Sequence, residues 1–316
     1  MQKRPLGRSG LEIAPLVFGG NVFGWTIDER TSFSLLDAFV DAGLNAIDTA
    51  DVYSRWAPGN QGGESETIIG NWLRANPGKR DKVLILTKVG SDMGQGHKDL
   101  SAKWIETAVE DSLRRLQTDV IDLYQSHWPD PNTPQEETLR AYEKLLKAGK
   151  VRAIGTSNYD AALLAESFKV AKEKGLPRYE SLQPQYNLYD RSSFDGELRD
   201  LAMREGIGVI TYYSLASGFL SGKYRSKEDL SKSKRGAGIE KYLTDRGMKI
   251  LAALDEVAGR NDARPAEVAL AWVIAREGVT APIASATSLE QLSSLVRAVN
   301  LKLSPEDIRA LDAASA

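Results

Sequence analysis

The sequence predicts an α/β fold, a closed (β/α)8 barrel of the TIM type with an N-terminal β-hairpin and a long loop after the seventh strand. Three observations predict it. Eight short apolar, β-branched runs alternate with longer segments whose hydrophobic residues repeat at helical spacing, the pattern of βαβ units in a parallel sheet. The chain has 316 residues, 42% of them hydrophobic and 27% charged, the balance of a globular chain with a large core. No low-complexity linker divides it, so residues 1–316 read as one domain, although length alone would also allow two of about 150 residues each. Closing eight βα repeats into a barrel removes both sheet edges and buries every strand; an open doubly wound sheet is the alternative.

The chain opens on Leu6-Gly7-Arg8-Ser9-Gly10-Leu11, a hairpin turn placed to plug the closed bottom of the barrel. The strand-like runs follow in order: Leu16–Phe18, Asn45–Asp48, Val83–Lys88, Val120–His127, Val151–Ser157, Ser181–Gln185, Ile207–Tyr212 and Pro282–Ser285. Amphipathic segments separate them: Asp28–Ala42, Glu64–Ala75, Ala102–Leu116, Pro134–Leu146, Ala161–Lys172 and Asp195–Met203, then two after the seventh strand and one after the eighth. Ser101 is placed to cap the start of the third helix, and Gly149 and Gly175 to end the fourth and fifth. Between Tyr212 and Pro282 the chain carries an insertion, Leu215–Tyr242 and two helices, of a length that suits a ligand clamp.

Composition narrows the function. With 41 Lys+Arg against 43 Asp+Glu the net charge is -2, and the densest basic patch, Lys223 to Lys241, is interleaved with Glu228, Asp229 and Glu240, so neither nucleic acid nor a membrane surface is an expected partner. There is no cysteine, which removes disulfides, thiolate nucleophiles and Cys-ligated metal, and no His/carboxylate cluster has metal-ligand spacing. Pro5, Gly7, Arg8, Gly10, Glu12 and Pro15 interrupt any apolar leader, and Gly206 to Gly222 is too short and polar for a membrane span, so a cytoplasmic location is expected.

Active sites in such barrels form at the carboxyl ends of the strands. There the sequence places Asp48 at the end of the second strand in Ile47-Asp48-Thr49-Ala50-Asp51-Val52-Tyr53, Lys88 at the end of the third and His127 at the end of the fourth, with Tyr53 on the loop after Asp48. These four suit reduction of a carbonyl, because a hydride reaching carbon leaves an alkoxide that needs a proton. Tyr53 is the candidate acid, its phenol lowered from about 10 by the Lys88 ammonium. Asp48 would neutralise Lys88, and His127 would orient the substrate oxygen. Singly, each has a plain structural reading, such as an ion pair between Asp48 and Lys88; the joint placement at consecutive strand ends is what points to catalysis. His97 reads as a solvated loop residue, and Gln61-Gly62-Gly63-Glu64 as a helix N-terminus.

With these residues the chain resembles the aldo-keto reductase superfamily, from Leu6-Gly7-Arg8-Ser9-Gly10 to the C-terminal helix. The resemblance implies an oxidoreductase whose Asp48, Tyr53, Lys88 and His127 form the catalytic tetrad, with NADP(H) lying across the barrel mouth. It further implies that Ser157, Asn158 and Gln183, together with Asp48, hold the nicotinamide end and that Tyr212 stacks on the ring. The order Tyr212-Tyr213-Ser214-Leu215, where relatives read Tyr-Ser-Pro-Leu, leaves Tyr213 as an alternative by one residue. Ser214, Leu215, Gly218, Leu220 and Lys223 resemble the loop over the pyrophosphate. Ser285, Thr287 and Gln291 stand at the adenosine end, where the chain carries no Arg or Lys for a 2′-phosphate, so NAD(H) stays open; Ser288 to Gln291 also fits a helix capping box. Trp25, Trp56, Trp128 and Phe219 are candidate pocket walls for a small carbonyl substrate. Two further readings compete with the reductase: a cofactor-binding, redox-sensing regulatory subunit, and a Schiff-base aldolase using Lys88. Other nucleotide motifs fail, since Gly19–Gly24 lacks Rossmann spacing and Gly218 to Tyr224 is not a P-loop.

Overall fold

The computed structural model describes residues 2–232 and 236–316; residues 233–235, within the charged patch and the insertion noted above, lie outside the described residues. A two-stranded antiparallel hairpin, β1 (Arg4–Pro5) and β2 (Glu12–Ile13), precedes the barrel. The barrel strands are β3 (Val17–Gly19), β4 (Ala46–Asp48), β5 (Leu84–Val89), β6 (Ile121–Ser126), β7 (Val151–Ser157), β8 (Ser181–Gln183), β9 (Gly208–Thr211) and β10 (Ala281–Ala284). Each pairs in parallel with the next, and β10 closes on β3 through Ile283 opposite Val17 and Ala284 opposite Phe18. The fold class is therefore the closed barrel, and the open sheet is excluded.

Helices α1 (Glu29–Asp41), α2 (Glu64–Ala75), α3 (Ala102–Leu116), α4 (Gln135–Lys147), α5 (Ala161–Lys174), α6 (Glu197–Glu205), α7 (Asp245–Arg260), α8 (Pro265–Ala275), α9 (Leu289–Asn300) and α10 (Pro305–Ser315) surround it. Ser101 caps α3 by accepting from the Trp104 N–H, and Gly175 ends α5 in the left-handed conformation, as the residue types demand. The Gln61–Gly63 stretch is indeed a helix entry, its Gln61 and Gly62 N–H groups donating to the Glu64 carboxylate. After β10 the structure has two helices where the sequence reading has one. Ser304 caps α10 in a reciprocal box with Asp307, and Pro305 at the first helical position adds its fixed φ, so the chain restarts instead of running on from α9. β8 stops at Gln183 because Pro184 has no N–H to donate; an isolated bridge from Gln185 to Tyr212 resumes the pairing.

The barrel interior changes character along its axis. Toward the amino ends, Val17, Ala46, Leu86, Leu123, Ala153, Ile210, Ala281 and Ile283 form an apolar cluster, and the hairpin's Leu6, Leu11 and Ile13 seal it from below. Gly7 makes that plug possible: at φ +59° it sits so close to the sheet that a Cβ would lie 2.3 Å from the Glu180 carbonyl oxygen. Two residues further along the strands, the same inward face carries Asp48, Lys88, Gln125 and Gln183, all buried. The alternation along each strand thus delivers polar groups to the carboxyl end.

Gly70 in α2 is a second close approach. A Cβ there would lie 2.1 Å from the Arg115 carbonyl oxygen at the end of α3. Alanine is a better helix former by about 1 kcal/mol, yet Gly70→Ala is expected to destabilise the protein by about 1–3 kcal/mol, because two backbones must separate. Chemical denaturation checks this; unchanged stability would mean that α2 and α3 move apart without loss. Among the described residues no helix is long and apolar enough to cross a membrane.

Candidate active site

The loop after β4 is set by its own backbone bonds. Thr49 N–H donates to the Leu86 carbonyl at 2.8 Å and Asp51 N–H to that of Lys88 at 3.3 Å, so the loop continues alongside β5. A turn from Ala50 to Tyr53 follows, and the Ser54 hydroxyl, on a residue at φ +73°, donates to the Phe23 carbonyl. The result is that Tyr53 leans back over the strand end. Lys88 Nζ donates to Asp48 Oδ2 at 2.7 Å, to the Thr49 carbonyl at 2.8 Å and to the Tyr53 hydroxyl oxygen at 2.8 Å. All three ammonium hydrogens have acceptors, and Lys88 is fully buried. The Tyr53 hydroxyl also donates to Asp48 Oδ2 at 3.2 Å.

The electrostatics differ from the sequence expectation at one point. The Tyr53 phenol is not lowered; burial first, and the Asp48 carboxylate second, push it well above the ordinary value. Lys88 presents itself as half of an ion pair with Asp48, so the field at the phenol is that of a neutralised cation, and desolvation dominates. Burial draws Lys88 itself downward, opposed by Asp48. The free site therefore holds a protonated phenol.

His127, half-buried just past β6, is tied to the sheet by its N–H on the Val89 carbonyl at 2.8 Å. Its Nδ1 lies 3.0 Å from the Ser91 hydroxyl, and its ring meets Tyr53 edge-on with centroids 5.9 Å apart. Burial, then the charges of Lys88 and Lys98, hold it well below the usual imidazole value, so it is neutral. Asn158, at φ +61°, donates to the His127 carbonyl at 2.9 Å and accepts from the Tyr212 hydroxyl at 2.6 Å. Ser157 donates to the Gln183 carbonyl, while Gln183 Nε2 donates to Asp48 Oδ1 at 2.9 Å and to Gln125 Oε1 at 3.2 Å. Asp48, Tyr53, Lys88, His127, Ser157, Asn158, Gln183 and Tyr212 thus form one bonded constellation.

Residues 15–316 match the profile of the Aldo/keto reductase family. The chain belongs to this family. It is 35% identical to the uncharacterized oxidoreductase YrpG of Bacillus subtilis (strain 168), over 99% of this chain and 95% of the relative. It is 32% identical to the protein tas of Escherichia coli (strain K12), over 99% and 97%. A probable voltage-gated potassium channel subunit beta of Oryza sativa subsp. japonica is 33% identical, over 99% and 96%.

In this family member the aromatic residues at the mouth divide. Trp25 packs edge-on against Trp56 with centroids 5.6 Å apart, Trp56 against Tyr53 at 5.9 Å, and Trp128 stacks on His127 at 5.7 Å. Phe219 is not a wall of this mouth. It is fully buried, stacked on Tyr242 at 5.4 Å with Tyr189 at its edge, inside the hydrophobic core that the insertion shares with the barrel and its helices. Leu220 is also fully buried, so it can offer a ligand only backbone groups, whereas Leu215 is half-buried. The Ser214 hydroxyl donates to the Thr211 carbonyl, and Lys223 lies over the Tyr224 ring, its Nζ 5.0 Å from the centroid.

Tyr213 is the more exposed of the two neighbouring tyrosines, at φ +52°, whereas Tyr212 is half-buried and bonded to Asn158. At the other end of the mouth, Ser285 Oγ lies 2.7 Å from both the Gly19 carbonyl and Asn21 Oδ1, joining β10 to the loop after β3. Ser288 caps α9 through the Gln291 N–H, but the Gln291 side chain accepts from Thr287, so only half of the capping box forms.

Sequence reasoning missed Gln125 and Ser91, which support Gln183 and His127. The period-two pattern that aims His127 inward also aims Gln125 inward, and was a usable signal. It also missed a buried charged cluster outside the barrel wall. Glu66 is fully buried, bound by Arg115 Nε at 2.7 Å and by the Thr87 hydroxyl at 2.5 Å. Nearby, both carboxyl oxygens of buried Asp51 have no partner among the described residues. Arg115 already matches Glu66, so burial first, and Glu66 second, push the Asp51 carboxyl well above its usual range. A carboxyl whose folded pKa exceeds its unfolded one, near 4, loses stability as pH climbs from the unfolded to the folded value. Asp51→Asn is therefore expected to raise Tm by ~1–3 °C in mildly alkaline buffer and to change it little near pH ~4. Calorimetry across that range checks it, and an equal shift at both ends would show that Asp51 does not titrate.

Proposed function

We propose that this family member reduces aldehydes or ketones to alcohols with NADP(H), Tyr53 acting as general acid. The observation that carries the reading is the Lys88 ammonium held at once by Asp48 and the Tyr53 hydroxyl at the carboxyl end of the barrel. In this reading Tyr53 gives its proton to the substrate oxygen, and Lys88, 2.8 Å from the phenol oxygen, stabilises the phenolate that remains. Asp48 keeps Lys88 charged and in place. With the Ser91 hydroxyl donating to His127 Nδ1, 3.0 Å away, the ring proton would sit on Nε2, where it can hydrogen-bond the substrate oxygen. In the reverse direction the phenolate accepts the alcohol proton.

The residues present fit a nicotinamide dinucleotide. Gln183 has its NH2 engaged by Asp48 and Gln125, so its Oε1 is the atom available to a carboxamide, beside the Ser157 and Asn158 side chains. The backbone turns left-handed at Ala216, Ser217 and Gly218, and at Gly218 nothing lies within 3.8 Å of where a Cβ would be, leaving room for close backbone approach with Lys223 to supply charge. Tyr212 would stack on the ring, and Ser285, Thr287 and Gln291 would meet the adenosine end. The bound dihydronicotinamide would supply the hydride.

The Schiff-base reading fares worse, because a nucleophilic lysine needs a free lone pair, whereas all three Lys88 hydrogens are donated to oxygen acceptors. The regulatory reading draws on the rice relative's name. Consumption of NADPH and NADH with a panel of aldehydes and ketones, the alcohols being quantified, separates the two. Turnover with at least one carbonyl class is expected. Tight coenzyme binding with no turnover across the panel would transfer the argument to a sensor.

A further inference from the structure

Lys98 lies on the loop between β5 and α3, which leaves the barrel at the same end as Tyr53 and His127. It is exposed, yet its ammonium does not extend freely into water: Nζ sits 4.4 Å from the centroid of the Trp128 ring. Trp128 in turn stacks on His127 with an interplanar angle of 16°, and the Lys98 charge is among those felt at the imidazole. The acids around this loop are already engaged. Asp92 accepts from the Gly94 and Gly96 N–H groups and pairs with Arg55; Asp99 accepts from Ser101 N–H and lies near His97; Asp130 accepts from Leu100 N–H, Asn132 N–H and the Thr133 hydroxyl. No carboxylate among the described residues pairs with Lys98. The ring face thus holds an uncompensated cation beside the proposed reaction centre, at the edge of an aromatic wall.

We propose that Lys98 selects carbonyl substrates that carry an anionic group away from the reacting C=O, with aromatic carboxy-aldehydes as the simplest class. This rests on the carbonyl-reductase reading of the site. The aldehyde end faces Tyr53 and His127, the ring lies among Trp25, Trp56 and Trp128, and the carboxylate meets the Lys98 ammonium. Arginine would not be equivalent in general, but a point charge on a flexible stem is what a mobile carboxylate at the rim needs.

The test compares benzaldehyde with para-carboxybenzaldehyde in the wild type, Lys98→Met and Lys98→Glu. Taking the ratio of kcat/KM between the two aldehydes cancels any general effect of the substitution on turnover. In the wild type the carboxylated aldehyde is expected to be preferred by about tenfold at low salt, the effect residing in KM and shrinking as salt is added. The ratio should fall to about one in Lys98→Met and below one in Lys98→Glu. A ratio unchanged by Lys98→Met, or a wild type without preference, overturns the proposal. Binding of benzyl alcohol and para-carboxybenzyl alcohol, followed by tryptophan fluorescence, gives the same comparison without turnover. A Lys98-dependent binding ratio with no coenzyme consumption would refute the reductase reading and keep the anion preference. Equal or absent binding of the two alcohols would refute the preference itself.

Discussion

Tyr53→Phe is expected to lower kcat for carbonyl reduction by roughly 10²–10⁴-fold while leaving coenzyme affinity unchanged. The substitution removes one oxygen, the atom that accepts from Lys88 at 2.8 Å and donates to Asp48 at 3.2 Å, and keeps the ring that packs on Trp56 and His127. If the phenol is the acid, the loss falls on the step that protonates the alkoxide, and kcat and kcat/KM fall together. Coenzyme titration by fluorescence supplies the control. Because burial and Asp48 raise the phenol, wild-type kcat/KM for reduction should show no loss of the acid through neutral pH. Turnover by Tyr53→Phe equal to that of the wild type would falsify the acid assignment.

Lys88→Met carries the second large effect, on stability as well as turnover. Asp48 is 1% exposed and its Oδ2 accepts the Lys88 ammonium at 2.7 Å, so removing the cation strands a carboxylate inside the barrel. Breaking a buried pair from one side costs about 3–5 kcal/mol. The remaining donors to Asp48, Gln183 Nε2 and the Tyr53 hydroxyl, are neutral and do not offset a full charge. Adding Asp48→Asn to Lys88→Met removes the stranded charge and should recover most of the stability without recovering turnover. Urea denaturation of both variants and the wild type measures this directly. A single variant that loses less than about 1 kcal/mol would mean that the pair contributes little to holding the mouth together.

Both expectations concern residues that the sequence already brought forward, and the reason is geometric. Strands bury two faces and helices one stripe, so alternating blocks of different period mark the eight βα units even where their ends are off by a residue or two. Polar residues that end apolar strands, such as Asp48 after Ala46-Ile47 and Lys88 after Leu86-Thr87, must lie at the carboxyl mouth of a parallel barrel. The loop sequence around Tyr53 then places its ring near them because the distance along the chain is only a few residues.

Other features depended on contacts between distant segments. Phe219 on a loop reads as a pocket wall until Tyr242 and Tyr189 are seen to cover it, since the insertion folds its apolar side chains into the core around the barrel. The one helix expected after β10 became two because Ser304, Pro305 and Asp307 restart the chain, a local signal that the hydrophobic pattern masked. Asp51, two residues from Tyr53, has its carboxyl buried near Glu66 and Arg115, residues from two different helices.

By itself, the sequence determined the barrel, its order of strands and the end at which chemistry can collect, because periodicity and strand polarity are local properties that closure converts into position. Only the tertiary structure decided the electrostatics. Whether a lysine lowers a phenol or is cancelled by its partner depends on separations of about 3 Å and on the water excluded by residues distant in sequence, and a one-dimensional spacing contains neither quantity.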